Sequence, residues 1–174
     1  MFEGWGEFYL LAGSAAAVLI GLIFVVVTLM QDRPRSSVLN GSRLYMGPVA
    51  LHVSFVLVLS AAALVPGISP SGYAVISAAV SVWGLARSVS GIIGIRALTG
   101  ADTPHWTDVW FYGVLPSLLF MVLAGVSLAV WMERPWAARG IAAAVTAALL
   151  LTIRNEWDLV TWLAPRPDSP RDSE

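Results

Sequence analysis

No cysteine and no lysine occur among the 174 residues. Without cysteine the chain has no disulfide framework, no thiolate metal site and no cysteine nucleophile. Charge of either sign is scarce, at 12%, where an ordinary soluble domain carries about a quarter. All ten basic side chains are arginine, a usage that fits a GC-rich bacterial genome. A net charge of −1 leaves no dense basic face, so nucleic acid is not an expected partner. Catalytic spacings are missing too: no Walker, Rossmann, His-Glu-x-x-His or Gly-x-Ser-x-Gly pattern occurs. His52 and His105, the two histidines, fall on separate elements and are too few for a metal centre. Neither a metal nor a cofactor is expected. A bis-His haem would require His52 from two copies of the chain.

What is abundant is apolar surface. Hydrophobic residues make up 57% and mean hydropathy is +0.76. A hydrocarbon core about 30 Å thick is crossed by about 20 helical residues, and the chain divides into five runs of that length. The expected fold is an all-α integral membrane bundle of five transmembrane helices, in one domain over residues 1–164. The spans are 8–30, 44–65, 73–98, 109–132 and 136–163, followed by a disordered tail, 165–174. The acidic start, with Glu3 and Glu7, lacks the positive n-region of a cleavable signal peptide. Pro66-Gly67-Ile68-Ser69-Pro70 reads as a tight turn between spans two and three. Pro116, inside span four, removes one helical hydrogen bond and is expected to free the Tyr112 carbonyl.

Two sets of small residues mark packing faces. Gly13, Ala17 and Gly21 recur every four residues in span one, a ridge that lets another helix approach closely and suggests a homo-oligomer. Ser77, Ser81, Gly84, Ser88 and Gly91 share one face of span three, which is expected to lie in the middle of the bundle. Arginines near the span ends set the orientation. Arg33, Arg35, Arg43, Arg96, Arg166 and Arg171 fall on one side, Arg134 and Arg139 on the other. The N-terminus is therefore expected outside and the C-terminus in the cytoplasm, in a bacterial inner membrane. Trp5, Trp131 and Trp136 suit the outer interface, and Trp106, Trp110, Trp157 and Trp162 the inner one. Trp83 alone is mid-span.

Ionisable side chains inside the spans are the candidate site, because a charge at a span centre costs about 2.5–3.5 kcal/mol on insertion scales. By helical rise Arg87 lies about 16 Å and His52 about 12 Å from the inner end. Arg154, Glu156 and Asp158 lie at about 14, 10 and 8 Å. Arg154 and Asp158 are four residues apart and can pair within span five. Glu156 points about 200° away from both, which makes it the expected partner of Arg87, with His52 as the third member. Tyr45 shares a stripe of span two with His52. Trp83 could stack on Arg87 one turn away. The bland alternative is a buried ion pair that only fixes helix register.

Gly13 to Val25, Leu64-Val65-Pro66-Gly67 and Arg154-Asn155-Glu156-Trp157-Asp158-Leu159 resemble segments of small bacterial polytopic membrane proteins. Some of those are labelled as modulators of a membrane AAA protease, which are similar to seven-span proteins, whereas this chain has room for five. The resemblance implies the architecture and no functional residues.

Three functions fit these features. The first is a binding or regulatory module with a cytoplasm-facing polar pocket for an anion, a lipid headgroup or a proton, with membrane lipid, an anionic lipid or a small anion as partner. The second is an oligomeric ion channel or proton-coupled transporter using Arg87, Glu156 and His52. The third is a lipid-modifying enzyme, for which only His105 with Asp102 or Asp108 could act as acid or base.

Overall fold

In lipid every backbone polar group must be satisfied internally, so a chain this apolar forms helices. A computed structural model of the protein describes residues 2–29, 47–96 and 106–163, and apart from short turns these are helical. The helices are α1 (Gly6–Leu29), α2 (Gly47–Leu64), α3 (Pro70–Arg96), the short α4 (Trp106–Val109), α5 (Leu115–Trp131) and α6 (Ala137–Leu163). A π-helical turn, Trp110–Val114, joins α4 to α5. Five segments, 6–28, 47–64, 70–94, 110–131 and 137–158, are long and apolar enough to cross a membrane. They coincide with the five expected spans to within a few residues at each end. The expected tail, 165–174, lies outside the described residues.

Local chemistry sets the ends that carry tight turns. Ser69 caps α3, its hydroxyl accepting the Gly72 N–H at 3.0 Å, with Pro70 in the first helical position where its missing N–H costs nothing. Gly67 takes the left-handed conformation the turn requires, φ 70°. After α5, Arg134 N–H reaches the Ala129 carbonyl and Glu133 N–H the Val130 carbonyl, the paired bonds of a Schellman stop. The left-handed residue there is Glu133, φ 51°, in a position glycine usually fills.

Neighbouring spans run antiparallel. A Cβ on Gly84 of α3 would overlap the Phe120 ring of α5, and one on Gly113 would overlap Ile92. These interlocks sit about two turns apart on both helices, so α3 and α5 approach closely along this seam. Contrary to the expectation for span three, α2 is the central helix. Half of its membrane-length window is buried against 28% of that of α3, and it packs on α1, α3 and α6. The small stripe of α3 is one-sided: Ser77, Ser81 and Ser88 are buried, while Val75, Val82, Trp83, Val89 and Ile93 face outward.

The ridge of span one also divides. Gly13 is used inside the chain, in contact with Ser60 of α2, whereas Ala17 and Gly21 are exposed. A period of four advances about 40° per step on a 3.6-residue helix. The ridge therefore rotates off the face that buries Tyr9, Ala12, Ala16 and Val26.

Candidate functional site

The five helix ends that carry the tight turns (Gly6, Leu64, Pro70, Trp131, Ala137) define one end of the bundle. Apart from Glu7 and Arg139, at the first turns of their spans, the described charges within the spans lie toward the opposite, far end. There the π turn sets the local chemistry. Leu115 N–H bonds the Trp110 carbonyl, five residues back, so in that register the oxygen Pro116 cannot serve belongs to Phe111. The expected Tyr112 vacancy thus moves by one residue. Asn155 of α6 fills it, its Nδ2 donating to the Phe111 carbonyl at 3.3 Å. Tyr112 Oη donates in return to the Asn155 carbonyl at 3.2 Å.

Arg154 completes this network. Its Nη1 donates to Asn155 Oδ1 at 3.2 Å and pairs with Asp158 at 2.7 Å. The guanidinium lies over the Phe111 ring, 3.3 Å from its centroid. The i,i+4 pairing expected from the sequence is therefore present, joined to an asparagine and an aromatic ring that sequence reasoning did not assign. The two Asn155 bonds and the Arg154–Phe111 contact tie α6 to the π turn, while Asp158 holds Arg154 from within α6.

Glu156 and His52 are the opposite case. Glu156 lies on the packed face of α6, about 20° from Val145 by helical period, and is only 4% exposed. Among the described residues neither carboxyl oxygen has a hydrogen-bond partner. His52 of α2 is 2% exposed, its ring 5.4 Å from that of Phe120, and its Nδ1 is unpartnered. The two sit on helices that pack together, yet no hydrogen bond joins them.

Arg87 is not a member of the cluster. It is exposed on the side of α3, and among the described residues it has no ion pair or hydrogen bond. The expected Arg87–Glu156 pair is not formed, and neither is the stack on Trp83, whose ring instead meets Phe55 edge-on at 5.6 Å. Helical phase explains this. Arg87 is about 80° from the centre of the small-residue stripe, and that stripe is committed to the α5 seam. Gly84, Ser88 and Gly91 accordingly serve packing. Tyr45, His105 and Asp102 lie outside the described residues, as does the side chain of Asp108. No group of three or more potential metal ligands occurs among the described residues.

A second polar group, at the turn end, was not expected. Tyr9 and Tyr73 are fully buried around Phe2, with ring centroids 5.2 and 4.5 Å from it. Tyr73 Oη donates to the Leu59 carbonyl at 3.3 Å. The hydroxyls of Tyr9 and Ser60 have no partner. Tyr9 stands one turn from Gly13 on the same face, and that spacing was the available signal.

Comparison with known protein families, with curated proteins and with solved structures finds no match to this chain.

Proposed function

We propose that the protein is a multi-pass membrane binding module whose site is the buried carboxyl of Glu156, with His52 deeper in the bundle, open toward the cytoplasmic side of a bacterial inner membrane. The observation that carries this reading is the carboxyl with two unpartnered oxygens beside an arginine already committed to other groups. Buried polar groups are ordinarily hydrogen-bonded, and an unmade bond costs about 1–3 kcal/mol. A group kept at that cost seeks a donor from outside the chain. With Arg87 on the outer flank, no free cation among the described residues faces Glu156, and a carboxyl with two open oxygens suits a proton or a small ammonium group. The orientation rests on the arginine distribution, with Arg33, Arg35, Arg43, Arg96, Arg166 and Arg171 on the side of Glu156 by sequence and only Arg134 and Arg139 on the other.

Binding is tested on the purified full chain in detergent, by melting it in methylammonium or ethanolamine at constant ionic strength. A ligand at ten times its Kd stabilises by about 1.4 kcal/mol, a rise of several degrees. The rise should vanish in Glu156→Gln. No rise in the wild-type protein with either amine, or an equal rise in Glu156→Gln, would sink this reading.

Proton-coupled transport is the second reading. It is favoured by the presence of two unpartnered titratable side chains on adjoining helices, the arrangement intramembrane proton relays use. Vesicles containing the protein should then collapse an imposed pH gradient, and both Glu156→Gln and His52→Ala should stop them.

A further inference from the structure

Arg87 is a permanent cation, and its place in the molecule asks for an anion that the described residues do not supply. It lies within the apolar segment 70–94 of α3, seven residues from its far end, about 10 Å by helical rise. Its side chain is exposed on the outer surface of the bundle, where a bilayer would put acyl chains. No acidic residue occurs in α2 or α3, the two helices that border this flank. Among the described side chains the carboxyls at the same end are on α6, which packs on α1, α2 and α5. One of them, Asp158, is already held by Arg154.

The shape of the flank fits the charge. Trp83, one turn nearer the centre, leans edge-on against Phe55 of α2. Ala86 and Ser90, one residue before Arg87 and three after it, are small and exposed. The Ser90 hydroxyl turns inward to the Ala86 carbonyl at 2.7 Å. Arginine stems lie along apolar surface while the head rises toward the interface, and the planar fork binds phosphate oxygens in pairs.

We propose that this flank of α3 is a binding site for the phosphate of an anionic phospholipid in the leaflet at the far end, held by Arg87 with Trp83 against the acyl chains. The site is separate from Glu156 and does not depend on the function proposed for it.

The test uses the full chain in detergent, loaded with equal amounts of phosphatidylglycerol and phosphatidylcholine, and counts retained lipids by native mass spectrometry. Wild-type protein should retain phosphatidylglycerol in preference, and Arg87→Ala should lower that retention about tenfold. Arg87→Lys, which keeps the charge but not the fork, should fall between them. Arg139→Ala, which removes an exposed arginine at the other end, should leave retention unchanged. Equal retention in wild type and Arg87→Ala overturns the proposal, and so does an equal loss in Arg139→Ala. Displacement of the lipid by 10 mM inorganic phosphate would assign the site to free phosphate and overturn the lipid. A wild-type dimer that Arg87→Ala converts to monomer, with lipid retention unchanged, would assign the flank to a second copy of the chain.

Discussion

Arg154 and Arg87 are the same residue type, near the same end of the bundle and within the same apolar layer, yet the fold treats them oppositely. Arg154 has a carboxylate, an amide oxygen and an aromatic face within reach. Arg87 has none of these among the described residues and faces outward. Depth does not separate them; helical phase does. Arg154 shares its face with Asp158 and meets the π turn, where a carbonyl is already released. Arg87 is beside a stripe committed to packing, with Gly84 filled by Phe120 and the Ser77 and Ser81 hydroxyls donating to carbonyls of their own helix. An intramembrane charge is thus structural or ligand-seeking according to which side of its helix the tightest seam takes.

The comparison breaks most readily at the seam that sets the phase of α3. In Gly84→Val the added carbons would overlap the buried ring of Phe120, and overpacking of this kind typically costs up to about 3 kcal/mol. Unfolding in a graded detergent titration should show that loss. A variant as stable as the wild type would mean the seam does not fix the rotation of α3, and the outward position of Arg87 would lose its explanation.

The next largest effect should come from Asn155→Ala. It removes the donor to the Phe111 carbonyl, which Pro116 has already deprived of a helical partner, and one acceptor of Arg154. An orphaned carbonyl in an apolar setting costs about 1–3 kcal/mol, so a loss near 2 kcal/mol is expected. Arg154→Ala should cost less, about 1 kcal/mol, since its pair with Asp158 is partly exposed and the stack on Phe111 supplies the remainder. If Arg154→Ala proved more damaging than Asn155→Ala, the ion pair and not the filled carbonyl would be holding α6 to the π turn.

How much of this could be read in advance varies with the physics involved. The five spans were legible because membrane thickness fixes helix length, and the turn at Pro66–Pro70 because its residues permit little else. The Arg154–Asp158 pair was legible because it is local to one helix. The Arg87–Glu156 pair was wrong because two residues at matching depth meet only if both helices rotate toward each other, and rotation is decided by tertiary packing. The signal was nevertheless present, since counting from the Ser77–Gly91 stripe already put Arg87 on its flank. Asn155 became visible only with the π turn, which shifts the vacancy left by Pro116 from Tyr112 to Phe111. Tyr9 and Ser60 were missed because hydroxyls raise no alarm on a hydropathy scale.

The smallest expected effect is also the most diagnostic for the pair of arginines. Arg87→Ala in detergent should change unfolding stability by less than about 0.5 kcal/mol, the ordinary range for a surface position without partners. In a bilayer the same substitution removes a charge that costs about 2.5–3.5 kcal/mol near a span centre when nothing neutralises it. Reconstituted in phosphatidylcholine, which offers no net anionic headgroup, the variant should therefore be the more stable protein. Added phosphatidylglycerol should raise wild-type stability and close that gap, while leaving Arg87→Ala unmoved. A wild-type protein indifferent to lipid charge would show that the guanidinium reaches water unaided, and the contrast with Arg154 would reduce to exposure alone.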